Sequence, residues 1–175
     1  MNVVSGGGVL ALSGLLIGAL SACGSQSDAT REWEAVAGTA LEVSDRWVRQ
    51  RLPGTTRTAG YLTLRNPGAT PLALVSASMP EAAVVEFHQT LRDGDRMRMV
   101  REQPVVLPPG ETLVFEPGGR HIMILGLADD LPDRVTLSFT LAPIADPKAD
   151  SKAGREPGVE RPFTLSFPVR AVMAE

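Results

Sequence analysis

From residue 41 onward the chain reads as short runs in which apolar and polar side chains alternate, cut by Pro and Gly. A period of two places the apolar residues on one face of an extended strand. The pattern predicts strands near 42–49, 59–65, 71–77, 82–90, 96–101, 104–107, 112–116, 120–126, 134–141 and 162–170. Turn formers separate them: Asn66-Pro67-Gly68, Asp93-Gly94, Pro108-Pro109-Gly110 and Pro117-Gly118-Gly119. Many short strands at this spacing, with no long helical period, predict an all-β sandwich or barrel. REWEAVAGTA (31–40) is read as one or two helical turns.

Two segments break the texture. Residues 9–20, VLALSGLLIGAL, are an apolar run too short to span a bilayer comfortably. With the following Leu20-Ser21-Ala22-Cys23 they resemble a bacterial lipoprotein signal. That resemblance implies cleavage after residue 22, a lipid on Cys23 and an extracytoplasmic, membrane-anchored protein. MNVVSGGG departs from the pattern, having no Lys or Arg. An ordinary secretory signal with an incidental Cys is the alternative. The predicted organisation is a signal peptide at 1–22, a lipidated Cys and polar tether at 23–40, and a β-domain at 41–175. Within that domain APIADPKADSKAGREPGVE (142–160) is nearly free of large apolar residues and is read as an exposed loop.

Composition removes some functions. The net charge of −3 and the 5% aromatic content give no case for nucleic-acid binding. Cys23 is the only cysteine, so the β-domain has neither a disulfide nor a thiolate ligand. Without a free Cys, and with two histidines in all, no nucleophile–base constellation has support and no enzyme is predicted.

Those two histidines belong to a set of four soft, neutral side chains: His88, Met99, His121 and Met123. Imidazole and thioether without carboxylate suit a soft monovalent metal, copper(I), better than Mg²⁺, Ca²⁺ or Zn²⁺. Thioethers also cannot oxidise to disulfides outside the cytoplasm. His121 and Met123, two apart on a strand, share a face, as do Met97 and Met99. A hairpin turning at Asp93-Gly94 brings His88 near Met97 and Met99. A four-ligand site with Met97 as a possible auxiliary is therefore geometrically plausible. On composition and spacing alone a structural reading also stands: Met97 or Met123 as core filler, His88 as a satisfied surface residue. Met79 and Met173 are read as structural.

The spacing His88-x10-Met99-x21-His121-x-Met123 resembles that of the periplasmic copper chaperone family called PCu(A)C. SDRWVRQ…AGYLTLRNPG (44–68) and LPPGETLVFEPGGRHIMILGL (107–127) are similar to the family's flanking segments, so the resemblance covers residues 41–142 and extends to 161–170. It implies a cupredoxin-like Greek-key β-sandwich holding one Cu(I) per chain on these four residues. It also implies transfer to a copper-accepting protein, either the copper-centre subunit of cytochrome c oxidase or a thiol-containing copper chaperone. Two features depart from the family: Thr90 stands where many members have a further Met, and PVRAVMAE carries no His-rich tail. The alternative function is an extracytoplasmic β-sandwich scaffold or adhesion lipoprotein with structural His and Met.

Overall fold

A computed structural model describes residues 31–94, 96–144 and 159–171. The predicted signal peptide, Cys23 and most of the 142–160 loop lie outside the described residues, as does Met173. The described residues form eleven strands and no helix. In chain order they are β1 (Glu34–Ala35), β2 (Glu42–Arg49), β3 (Arg57–Arg65), β4 (Leu72–Ser78), β5 (Val84–Asp93), β6 (Arg96–Arg101), β7 (Val105–Leu107), β8 (Thr112–Phe115), β9 (Arg120–Leu125), β10 (Arg134–Pro143) and β11 (Arg161–Arg170).

Pairing runs β6-β5-β9-β8-β3-β2-β11-β10-β4-β7, with β3 also paired to β9 and β4 touching β5. The parallel β2–β11 contact spans only Val48↔Val169 and Arg49↔Arg170, and β4–β5 only Ala77↔Val85. These narrow joints are the corners where one layer (β6, β5, β9, β8, β3, β2) passes into the other (β11, β10, β4, β7). The result is the two-layer β-sandwich that the alternating pattern predicts.

Between the layers lies a core built by the inward half of each alternation. Phe87 of β5 is fully buried. Its ring lies 6.1 Å from Phe115 of β8 and 6.4 Å from Phe139 of β10. Phe139 in turn stacks on Phe163 at 5.3 Å and meets Phe167 at 6.2 Å. All five of the chain's Phe thus join one set of ring contacts centred on Phe87 and Phe139 that ties one layer to the other, with aromatic pairs adding to area burial. Ile122 and Ile124 of β9 fill the same interior.

Residues 31–40 differ from expectation. Glu34 and Ala35 pair with Val43 and Glu42, so the β-structure starts inside the stretch read as tether and helical turn. Val36 decides this, because its side chain is buried in the core and its N–H donates to Leu41 O at 2.9 Å. Thr39 Oγ1 donates to Val36 O at 2.9 Å, closing a turn with Gly38 at φ 74°. A side chain that closes a turn competes with the helix ladder, and one buried Val outweighs a weak helical propensity. The remaining strands begin and end within a few residues of their predicted limits.

Candidate metal centre

Three adjacent strands carry the candidate ligands. Along β5 the burial alternates: Val85 and Phe87 face the core, and Glu86, His88 and Thr90 face outward. Across the β5–β9 ladder His88 pairs directly with His121, and Glu86 with Met123. Across the β5–β6 ladder Thr90 pairs with Met99, and Arg92 with Met97. Directly paired residues project to the same side, so His88, His121, Met123, Met97 and Met99 all leave one face of the β6-β5-β9 ribbon. The hairpin turns where predicted: Asp93 pairs with Arg96, and Gly94 takes φ 60°, a conformation that glycine adopts without strain.

On this face lies a cleft of about 450 Å³ lined by Met97, Met99, His121 and Met123, while His88 stands beside His121 without lining it. Its far wall is Tyr61 of β3 and the 50–57 loop, including Leu52. Tyr61 packs on Trp47 with ring centroids 4.5 Å apart. Burial pushes the Tyr61 phenol above its ordinary value, against the lowering effect of Arg49, so this wall presents a neutral hydroxyl. Met97 and Met99 are 62% and 61% exposed, which removes the core-filler reading of Met97. Met123 is half-buried, and His121 is buried at 5% exposure. Met79, by contrast, is core.

The imidazoles lie 5.9 Å apart by centroid, edge to face. Each is oriented by one hydrogen bond. His121 Nδ1 lies 3.1 Å from Gly119 O. A carbonyl only accepts, so Nδ1 donates, and in the neutral ring Nε2 keeps the lone pair. Gly118, at φ 80°, turns the chain so that Gly119 O reaches His121 and also accepts from Thr90 N at 3.1 Å. His88 Nε2 donates to Glu86 Oε2 at 2.8 Å, and Arg101 Nη1 holds Glu86 Oε1 at 3.2 Å. That leaves Nδ1 as the lone-pair nitrogen of His88, and this atom is buried with no hydrogen-bond partner. A buried acceptor without a donor is costly unless something fills it.

Register also separates the two candidate methionines. Met99 is one step along the ladder from the His88↔Arg101 pair, diagonal to His88, and Met97 is two steps away. Diagonal neighbours lie about 7–8 Å apart at Cα, within reach of a long side chain. Sequence reasoning missed Glu86, Gly119 and Arg101. The signal for Glu86 was there, since it stands two residues before His88 and so on its face; the Gly119 carbonyl and Arg101 become visible only with register.

Elsewhere, an open hollow of about 690 Å³ is lined by Trp33, Arg46, Arg134 and neighbours, with no His or Met. Among the described residues no group of three His, Cys, Asp or Glu converges as a hard-metal cage would. The donors that do gather are nitrogen and thioether, the set that fits a soft cation.

A two-layer β-sandwich with a His- and Met-lined cleft on one face places this chain among proteins with the PCuAC-domain fold. The copper-bound PCuAC domain from PmoF2 superposes with a TM-score of 0.59 at 22% identity, covering 81% of this chain and 99% of that one. The apo PCuAC domain from PmoF1 gives 0.57 at 20% identity, covering 81% and 100%. The chain itself belongs to the lipoprotein family described as "Putative lipoprotein LpqE-like", whose model matches residues 41–143. A relative from Leifsonia xyli subsp. xyli, "Putative lipoprotein Lxx21020", is 27% identical over 153 residues, covering 83% of this chain and 90% of its own length.

Proposed function

We propose that this chain is an extracytoplasmic copper carrier, held at a membrane by lipid on Cys23, that binds one Cu(I) and passes it on. His88, Met99, His121 and Met123 are the proposed ligands, with Met97 beside them as an auxiliary. One observation carries the reading: two histidines face each other across β5 and β9, each with one ring nitrogen held by a hydrogen-bond acceptor, so that the neutral ring keeps its lone pair on the other. Exposed thioethers stand on the same face. Two neutral nitrogens and two thioethers would leave bound Cu(I) a net charge of +1, a state that tolerates partial burial. One wall of the cleft is open, so an acceptor's ligand can enter before the carrier's ligands let go. The PCuAC-domain fold supports the assignment, as does membership of a lipoprotein family. The reading is binding and transfer without catalysis, with the copper centre of cytochrome c oxidase, reached directly or through a thiol-containing chaperone, as the destination. A Cu(I) titration against a chromogenic Cu(I) chelator should saturate at one equivalent per chain; no uptake would overturn the proposal.

Glu86 gives a second, local test. Replacing it with Ala removes the acceptor that holds His88 Nε2–H. Partners that only orient a metal-bound His typically change affinity 10–100-fold. The expected result for Glu86→Ala is a loss of about tenfold in Cu(I) affinity by chelator competition, with a mixed His88 tautomer in the ¹⁵N spectrum of the apo protein. A single unchanged tautomer would show that Glu86 does not set the ring.

A further inference from the structure

The mouth of this cleft carries one sign of charge. Arg49 and Arg57 line it, and Arg92 stands on the same face, directly opposite Met97. None of the three has an ion-pair partner among the described residues, whereas Arg46, Arg51, Arg65 and Arg120 each hold a carboxylate. Arg49 Nε is buried with no hydrogen-bond partner. Two carboxylates near this face are engaged: Glu86 by His88 and Arg101, Asp130 by Arg51 at 2.6 Å. Asp93 lies on the opposite face of the hairpin, paired in register with Arg96. Exposed Arg96 and Arg98 alternate with the two methionines along the edge strand and so leave its other face. All this positive charge stands on a chain whose net charge is −3.

Inside the arginines the surface is apolar. Leu52 is 51% exposed and lines the cleft together with Met97 and Met99. An apolar centre with a charged rim is the anatomy of a protein–protein contact. The rim has no role in holding the proposed cargo, because fixed positive charge raises the local potential and opposes a cation. It suits a partner that brings negative charge.

We infer that this face docks an acidic protein surface: the partner that exchanges Cu(I) with the cleft presents carboxylates to Arg49, Arg57 and Arg92 around a soft thiol, thioether or imidazole ligand. The inference deepens the copper-carrier reading and rests on it for the partner's role as acceptor. Complementary charge chiefly speeds encounter and fixes register, and salt weakens it. Carboxylates arriving at the rim would also offset the repulsion between the arginines and the departing cation.

The test uses the full apo chain and two labelled peptides: one Glu-rich peptide with a Met-x-x-Met pair, and the same peptide with Lys at every Glu. Fluorescence anisotropy should show the Glu peptide binding and the Lys peptide not. Its affinity should fall about tenfold between roughly 0.02 M and 0.5 M salt, as the Debye length shrinks from about 20 Å to about 4 Å. The same loss should follow from the double variant Arg57→Glu/Arg92→Glu, whose exposed side chains leave the fold intact by circular dichroism. Methyl resonances of Met97 and Met99 should shift on binding. Equal binding of both peptides, or no effect of the double variant, overturns the inference. So does binding to phosphatidylglycerol vesicles with neither peptide bound, which would assign the rim to a membrane. Because docking is read on the apo chain, failure of Cu(I) uptake with charge-dependent docking intact removes only the copper reading. One equivalent of Cu(I) with no charge dependence removes only this inference.

Discussion

Replacing His121 and Met123 together with Ala should lower Cu(I) affinity at least 100-fold, about 3 kcal/mol at 1.4 kcal/mol per decade. Residues that only orient a ligand already change affinity 10–100-fold, so removing two donors sets a larger floor. His121 is the better anchored of the pair: buried, fixed by Gly119 O, and facing His88 across the ladder. Chelator competition reads the affinity, and a urea titration reads the fold independently. Unchanged affinity in the double variant would sink the assignment of this face as the copper site. Single variants of β6 give the sharper comparison. Met97 and Met99 are almost equally exposed, so trimming either to Ala should leave the unfolding midpoint where it is. Met99→Ala should cost more affinity than Met97→Ala, because Met99 is the ladder diagonal of His88 and Met97 lies a step beyond it. The reverse order would make Met97 the ligand.

The strands and the candidate ligands were legible in the sequence for one physical reason. A period of two decides both which residues build the core and which share the opposite face. Phe87 and His88 are neighbours on β5, and the alternation alone sends one inward and the other outward. The His121 and Met123 pairing follows from the same rule on β9. Cross-strand register was not legible. That His88 sits opposite His121, while Met99 sits opposite Thr90, depends on how β5, β6 and β9 slide past one another. The roles of Gly119 O and Arg101 were hidden for that reason, and so was the cationic rim, whose members come from β2, β3 and β5. The 31–40 segment failed differently: a short amphipathic stretch carries little intrinsic preference, and the burial of Val36 decided its structure from outside.

Phe87→Ala should destabilise the fold by about 3–5 kcal/mol, the usual range for deleting a fully buried Phe. The ring meets Phe115 within its own layer and Phe139 of the other layer. Its loss opens a cavity at the point where the two layers touch beneath the site. Urea unfolding should show the midpoint falling with little change in slope; a loss under about 1 kcal/mol would mean that neighbouring side chains collapse into the space. The consequence for the site follows from position in the chain. Glu86 and His88 flank Phe87 on β5, and both owe their outward direction to the burial of the ring between them. If the cavity lets β5 shift, the His88↔His121 pair loses its fixed separation, and Cu(I) affinity should fall although no donor has been removed. Affinity that stays unchanged while stability falls would show that the β5–β9 ladder alone holds the histidines. The two readouts together therefore separate what the core contributes to the site from what the backbone hydrogen bonds contribute.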